Sequence, residues 1–384
     1  MELVGAVPPG VETGPFHARQ EALGATFYED LGWLWTASFG DPVAEYWAVR
    51  RDVALWDVSA LVKWRFTGPG SRAALDAITT RRVEELEPGT VRYGLVLDER
   101  GRMLDEGTVL IVSDVEAWFL GNDEREPFEE HLRRNAHGHD VRIENMTSRV
   151  ANVSIQGPRS FDLLSRLTDV DLASLRWFQA FPVAVEVAGV RGLLSRTGFS
   201  GELGYEFFLE EGETARAERL WDAISEAGAS PIGLDAVELL RVEAGLLVQH
   251  EDYWPGETDP YELSLEPAID LDHGFVGKDV CLATLAAPPR RFVTLVFDAD
   301  VEPSAAGERV FLEGLDVGDL RSPARSPRFG PIALAVVTAD AAAQGSDVEA
   351  GGRRASVRPV PIDDPRKTRP RSDPRHPITI GDPA

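Results

Sequence analysis

Cysteine is nearly missing from this chain and lysine is scarce. Cys281 is the single cysteine among 384 residues, which excludes an intrachain disulfide and any cysteine-built metal cluster. Between Val280 and Leu282 it reads as a buried structural thiol rather than a nucleophile. No apolar run approaches the roughly 18 residues that span a bilayer. The start, Met1-Glu2-Leu3-Val4-Gly5, has neither the basic opening nor the apolar stretch of a secretory signal, so the sequence reads as cytoplasmic. There is no phosphate loop, no Gly-x-Gly-x-x-Gly opening a dinucleotide unit, no internal repeat, and no His pair at metal spacing on a helix. His137 and His139 flank Gly138 in a polar loop and read as solvent-exposed.

Lys63, Lys278 and Lys367 are the only lysines, so 36 of the 39 bases are arginine, set against 64 acids for a net charge of −25. Such a field repels nucleic acid and anionic membranes and argues against both as partners. It also suits a surface kept soluble in a saline cytoplasm, although a GC-rich genome favours arginine over lysine equally well. The length suggests two or three domains.

What is present is organised around Arg196-Thr197-Gly198-Phe199-Ser200-Gly201-Glu202-Leu203-Gly204-Tyr205-Glu206, a glycine-rich turn feeding an apolar run. Glycine lets another group approach the backbone closely, so such a turn can hold a carboxylate against a ligand. Residues 1–20 are Pro- and Gly-rich and expected to wrap the surface or stay loose. Glu45–Asp52 reads as a short helix. Val62–Phe66 alternates as a strand, and Ser71–Ile78 is a helix after Gly68-Pro69-Gly70. Val91–Leu97, Thr108–Val112 and Ala117–Leu120 are strands, followed by a helix over 127–135, which suggests a ferredoxin-like unit. Strand 152–155 and helices over 159–167, 215–227 and from Asp235 onward form a second α/β unit. Asp235 and Glu238 are spaced as a capping box. Arg241 lies on that otherwise apolar helix, where a buried guanidinium requires a carboxylate from protein or ligand. Short strands between Arg290 and Pro361 suggest a small β-barrel. The charged, Pro-rich residues 362–384 are expected to be disordered.

Thr197–Glu206 resembles a signature of the aminomethyltransferases, the T-protein of the glycine cleavage system and its relatives. Matching stretches follow in family order: Leu55-Trp56-Asp57-Val58-Ser59, Arg102-Met103-Leu104-Asp105-Glu106, Ile155-Gln156-Gly157-Pro158, Leu240-Arg241-Val242-Glu243-Ala244-Gly245, Phe275-Val276-Gly277-Lys278, and Ser326-Pro327-Arg328-Phe329-Gly330. The resemblance covers roughly residues 40–360. It implies an α+β, three-domain clover-leaf: a folate-binding region of two interleaved units over 21–288, then a C-terminal barrel over 289–361.

The resemblance further implies an enzyme that moves a methyl or methylene group from a small donor to tetrahydrofolate. Asp105 falls where the family carboxylate lies near the folate nitrogen that receives the carbon, which makes it the catalytic candidate. Glu202 matches the carboxylate that hydrogen-bonds the pterin ring, Arg241 the pocket arginine, and Tyr93 a tyrosine at the pocket entrance. Leu61 and Tyr205 complete the cofactor-binding candidates. Ala60-Leu61 replaces the family's His-Met, Glu106 replaces the second Asp of Asp-Asp, and Glu257–Leu263 looks closer to demethylase relatives. Methyl donors of the sulfonium or methoxylated aromatic kind therefore stand beside the aminomethyl donor. A lipoyl carrier protein is an implied partner if the role is glycine cleavage. A non-catalytic folate-binding protein is the remaining reading, against which the surroundings of Cys281 do not match the motif of such relatives.

Overall fold

The computed structural model describes residues 3–285 and 288–381. Strands Arg142–Asn145, Val62–Thr67, Glu116–Gly121, Met103–Ser113 and Val91–Leu97 form, in that order, one antiparallel sheet. Helices Ser71–Ile78 and Glu126–Asn135 pack on it through Leu75, Phe128 and Leu132, against Trp64, Phe66 and Phe119. The connections are those of the expected ferredoxin-like unit with a fifth strand, because Val91–Leu97, Met103–Ser113 and Glu116–Gly121 make a three-strand meander.

A second sheet runs Val185–Val187, Val190–Ser195, Gly204–Leu209, Asn152–Gln156, Ala54–Asp57, Ser230–Pro231. Its core is Tyr205, Phe207, Leu220 and Trp221, the last two from helix Ala217–Glu226. The barrel closes through Arg290–Phe297, Gly330–Thr338, Leu315–Ser326, Arg309–Leu312, Asp347–Ala350 and Arg353–Arg358. On strand Arg290–Phe297 every second side chain, Val293, Leu295 and Phe297, fills the barrel interior.

Helix Leu234–Ala244 ties these bodies together, packing on helix Pro42–Arg51, on barrel strand Leu315–Ser326 and on strand Trp33–Ser38. It ends where Gly245 turns left-handed (φ 63°), a geometry that glycine adopts without a Cβ penalty. The expected capping box does not form. Gly233 holds the N-cap position, where a Cβ would lie 2.2 Å from the Ala37 carbonyl oxygen. Asp235 instead accepts the Tyr28 hydroxyl at 2.9 Å and Glu238 turns to Arg241. By contrast helix Pro42–Arg51, which begins three residues before the expected Glu45, has its start signalled locally. Asp41 accepts the Val43 and Ala44 N–H groups, Pro42 opens the first turn, and Arg50 and Arg51 sit in the last. The helix expected over 159–167 is shorter, Ser160–Leu164.

Both ends of the chain depart from expectation. Residues 3–22 are not loose: Leu3–Val4 and Glu12–Thr13 are the edge strands of a small sheet with Thr26–Asp30 and Trp33–Ser38, and Phe16 is fully buried. Residues 362–381 are not a free tail. They cross the other bodies as a strap held by Arg196, whose Nη2 donates to the carbonyls of Pro370 (2.9 Å) and Ser372 (2.5 Å). Charged composition misled here because two of the charges, Asp363 and Arg369, are paired inside the protein with Arg50 and Glu202.

Candidate active site

Between the two sheets, helix Leu234–Ala244 and the strap lies a cavity of about 1510 Å³. Its walls carry Tyr28, Trp33, Trp35, Trp56, Tyr93 and Trp177, and acids from several elements.

The hairpin Val91–Leu97/Met103–Ser113 supplies one wall, and its register decides which acid faces inward. Leu95 pairs with Glu106 and Val96 with Asp105, so the two acids point to opposite faces. Glu106 lines the cavity with Tyr93 and Thr108, whereas Asp105 does not. Asp105 is fully buried behind the wall. Its carboxylate accepts from the backbone N–H groups of Glu106, Asn122 and Asp123, from Asn122 Nδ2 and from the Tyr253 hydroxyl, at 2.8–3.2 Å. Burial lifts its pKa to about 6 against the pull of those hydrogen bonds. Glu106 goes higher, to about 8, through burial and then the neighbouring Asp105, despite hydrogen bonds from Tyr93 and Asn122. Of the two acids, Asp105 is thus the one buried among hydrogen-bond donors and Glu106 the one whose carboxyl lines the cavity.

The glycine-rich turn behaves similarly. Glu202 lines the cavity as expected, with a side chain 1% exposed. Its Oε1 takes both Arg50 Nη1 (2.7 Å) and Arg369 Nε (2.9 Å). Burial pushes it up to about 7 against the pull of these arginines. Tyr205 is not a cavity residue. It lies fully buried in the sheet core, and Glu206 on the opposite face lines the cavity, bonded by Thr197 Oγ1. Two of the turn's glycines, which also line the cavity, make room for a protein group. A Cβ on Gly198 or Gly204 would lie 2.1 or 2.3 Å from the Gln156 amide, which donates to Thr197 O (3.1 Å) and accepts from Ser200 Oγ (2.7 Å). Gly204→Ala is expected to cost about 1–3 kcal/mol of unfolding free energy by overpacking this contact. Urea denaturation showing less than a few tenths would contradict the assignment.

Arg241 borders the cavity but has nothing left to donate. Its guanidinium is committed to Glu238, Asp252 (2.6 Å), Glu251, Ser322 (2.8 Å) and the Leu246 carbonyl. The carboxylate that its burial demanded comes from the protein, and is neither Glu243 nor Glu206. Leu61 and Tyr93 both line the cavity, and burial, followed by the Glu106 carboxyl that its phenol meets, raises the tyrosine well above its ordinary range.

Sequence reasoning passed over Arg50. It is fully buried and bridges Glu202, Glu243 (2.6 Å) and Asp363 (3.5 Å), with Tyr46 and Ser326 also on Glu243. Its only sequence signal was the i,i+4 spacing with Tyr46 on a helix face shared with Val49. Through Arg50, Gln156 and Ser326 four of the motif stretches, those that hold Gln156, Glu202, Glu243 and Ser326, meet in one buried network.

A family model described as the GCVT N-terminal domain matches residues 16–273, and one described as the glycine cleavage T-protein C-terminal barrel domain matches residues 290–363. The chain belongs to the aminomethyltransferase family. Among similar family members is a probable aminomethyltransferase of Halobacterium salinarum, 33% identical over 351 residues that cover 88% of this chain and 94% of that protein. A trimethylamine-oxide aldolase of Ruegeria pomeroyi is also 33% identical, over 94% of this chain but 48% of its own length. The crystal structure of the glycine cleavage system aminomethyltransferase T from Bartonella henselae shares the fold, with a TM-score of 0.83 over 92% of this chain and 98% of that one at 24% identity. No helix among the described residues is long and apolar enough to cross a membrane.

Proposed function

We propose that this aminomethyltransferase-family chain is a tetrahydrofolate-dependent transferase that takes a methyl or methylene group from a small cationic donor. The observation that carries the reading is the pairing of Glu106, held neutral near pH 7, with Glu202 in one aromatic-walled cavity. The cavity suits a flat heterocycle. Glu202 gives both arginines a single oxygen, so its carboxylate retains acceptor capacity for the N–H edge of an aminopyrimidine. Tetrahydrofolate supplies the nucleophilic nitrogen when bound.

The protein supplies orientation and proton handling. Asp105, ionised and saturated with hydrogen bonds, is a fixed negative charge that keeps the proton on Glu106 at neutral pH. Glu106 then holds or releases that proton beside the reacting group, and Tyr93 orients its carboxyl. The walls of Trp33, Trp35 and Trp56, with Asp30, Glu124 and Asp235 among them, favour a cationic amine or sulfonium over a neutral methoxylated aromatic.

A cation placed in this cavity stabilises the ionised form of Glu106 and so expels its proton. Donor binding is therefore expected to release protons near pH 7 and to tighten as pH rises toward about 8, levelling above. Calorimetry in buffers of different ionisation enthalpy measures this. Binding without pH dependence would remove Glu106 from the donor pocket. The deciding assay is titration with tetrahydrofolate alone and with candidate donors, followed by mass spectrometry of the folate. A 5-methyl product makes the chain a demethylase, and a methylene product from an aminomethyl donor places it in glycine cleavage with a lipoyl carrier. Binding without any product leaves a folate-binding protein that is not an enzyme, and absence of binding refutes the folate reading.

A further inference from the structure

Gln249 lines the cavity from the irregular stretch after helix Leu234–Ala244, and its side chain is only half satisfied. The residue is 7% exposed, and its Nε2 donates to the Leu104 carbonyl at 3.2 Å. A carbonyl can only accept, so the amide nitrogen must face Leu104 and the amide oxygen takes the other side. Among the described residues that oxygen, Oε1, has no hydrogen-bond partner. A buried acceptor left unpaired destabilises the fold, so its retention calls for a partner from outside the chain.

The turn that presents Gln249 is fixed at both ends. The Val248 N–H donates to Asp252 Oδ2 at 2.8 Å and the Asp252 N–H to Val248 O at 2.9 Å, while Asp252 is itself anchored on Arg241. Inside the turn His250 takes a left-handed φ of 67°, and its N–H donates to the Tyr253 carbonyl at 2.8 Å. Such a conformation in a non-glycine residue persists only where its surroundings impose it. Tyr253 reaches Asp105 Oδ1 at 3.2 Å, so one turn grips the hairpin at Leu104 and Asp105, the two residues before Glu106. Gln249 is thereby set beside the carboxyl to which proton handling was assigned above.

On its other flank the turn meets acids. His250 acts on the charge of Asp30, and Asp30 on that of Glu251, and all three line the cavity with Trp33. Indole faces, and carboxylates at a distance, attract any cation alike, so they do not tell an ammonium from a sulfonium. An acceptor at contact does. It gains from an N–H, and in a trialkylsulfonium of the same shape it meets the lone pair of sulfur instead.

We propose that Gln249 is the specificity-determining residue of the donor subsite, its amide oxygen accepting the N–H of a protonated N-methylated amine. This rests on the cationic-donor reading above and deepens it: the donor is an ammonium that carries at least one N–H, rather than a sulfonium or a quaternary ammonium.

The test is calorimetric titration of the full chain, with tetrahydrofolate present at pH 7, by trimethylammonium and by trimethylsulfonium. The two cations match in charge and shape and differ by an N–H against a lone pair. Wild type is expected to bind trimethylammonium about tenfold tighter. Gln249→Leu and Gln249→Met, which remove the amide oxygen, are expected to bring the two affinities within twofold of each other, and circular dichroism melting shows which variants are folded. A Gln249 with only a structural role would change both affinities together and leave their ratio. Equal binding by wild type, the result if an ordered water satisfies Oε1, overturns the assignment while leaving the cationic-donor reading intact. So does a ratio that survives in a folded variant, and so does a variant that weakens tetrahydrofolate binding without changing the ratio, which would give the amide to the folate. If wild type binds neither cation, the cationic-donor reading fails and the role of Gln249 falls with it.

Discussion

Glu106→Gln is expected to lower single-turnover transfer by roughly 10²–10⁴-fold while leaving the protein folded and folate affinity within a few-fold of wild type. Glutamine keeps the shape and the bond to Tyr93 but cannot carry a proton to or from the reacting group. The same substitution should erase the limb of the pH–rate profile near pH 8, where Glu106 titrates in the unliganded protein. Asp105→Asn should behave differently. An amide there presents hydrogens to the N–H groups of Asn122 and Asp123 that now donate to Oδ2. The expected cost is about 1–3 kcal/mol of stability. Loss of the negative charge also drops Glu106 toward its ordinary range, shifting the pH profile to lower values. Turnover of Glu106→Gln within threefold of wild type would show that the proton is handled elsewhere.

The second large effect is on stability. Arg50→Met is expected to lower the unfolding free energy by about 3–5 kcal/mol at pH 8, because buried Glu243 would lose its close cation and Glu202 would keep only Arg369. The loss should shrink in acid. The folded-state pKa of Glu202 already lies above the unfolded value, so its contribution to stability is fully present below the ordinary carboxylate range and falls as pH rises toward about 7. Removing Arg50 moves that pKa further up, and protonation then relieves the uncompensated charge. Urea denaturation of both proteins at pH 5 and pH 8 checks it, and equal deficits at the two pH values would contradict the network as drawn.

How legible was this site? Strands such as Val91–Leu97, and the C-terminal barrel, follow from alternation and turn residues, because those signals act within a few positions. Alternation also guaranteed that Asp105 and Glu106, or Tyr205 and Glu206, would face opposite ways. Which side is cavity depends on what the far face packs against, and that is set by Tyr253 and the Asn122–Asp123 turn in one case and by Trp221 in the other. Arg50 lies 152 residues from Glu202, and no local pattern announces such a pair. Arg241 looked like a ligand-binding arginine because its carboxylates Glu251 and Asp252 follow the helix in an irregular stretch that periodicity does not place.

The strap has a consequence for the order in which the chain is made. Both sheets, the linking helix and the barrel can be assembled from residues up to about 361. Arg369 on Glu202, Asp363 on Arg50 and Arg371 over the Trp177 ring arrive afterwards. During vectorial synthesis, in which domains fold as they emerge, the cavity stands with one wall open until these last contacts close. The complete cavity wall is thereby present only once residues 362–381 have been translated and seated.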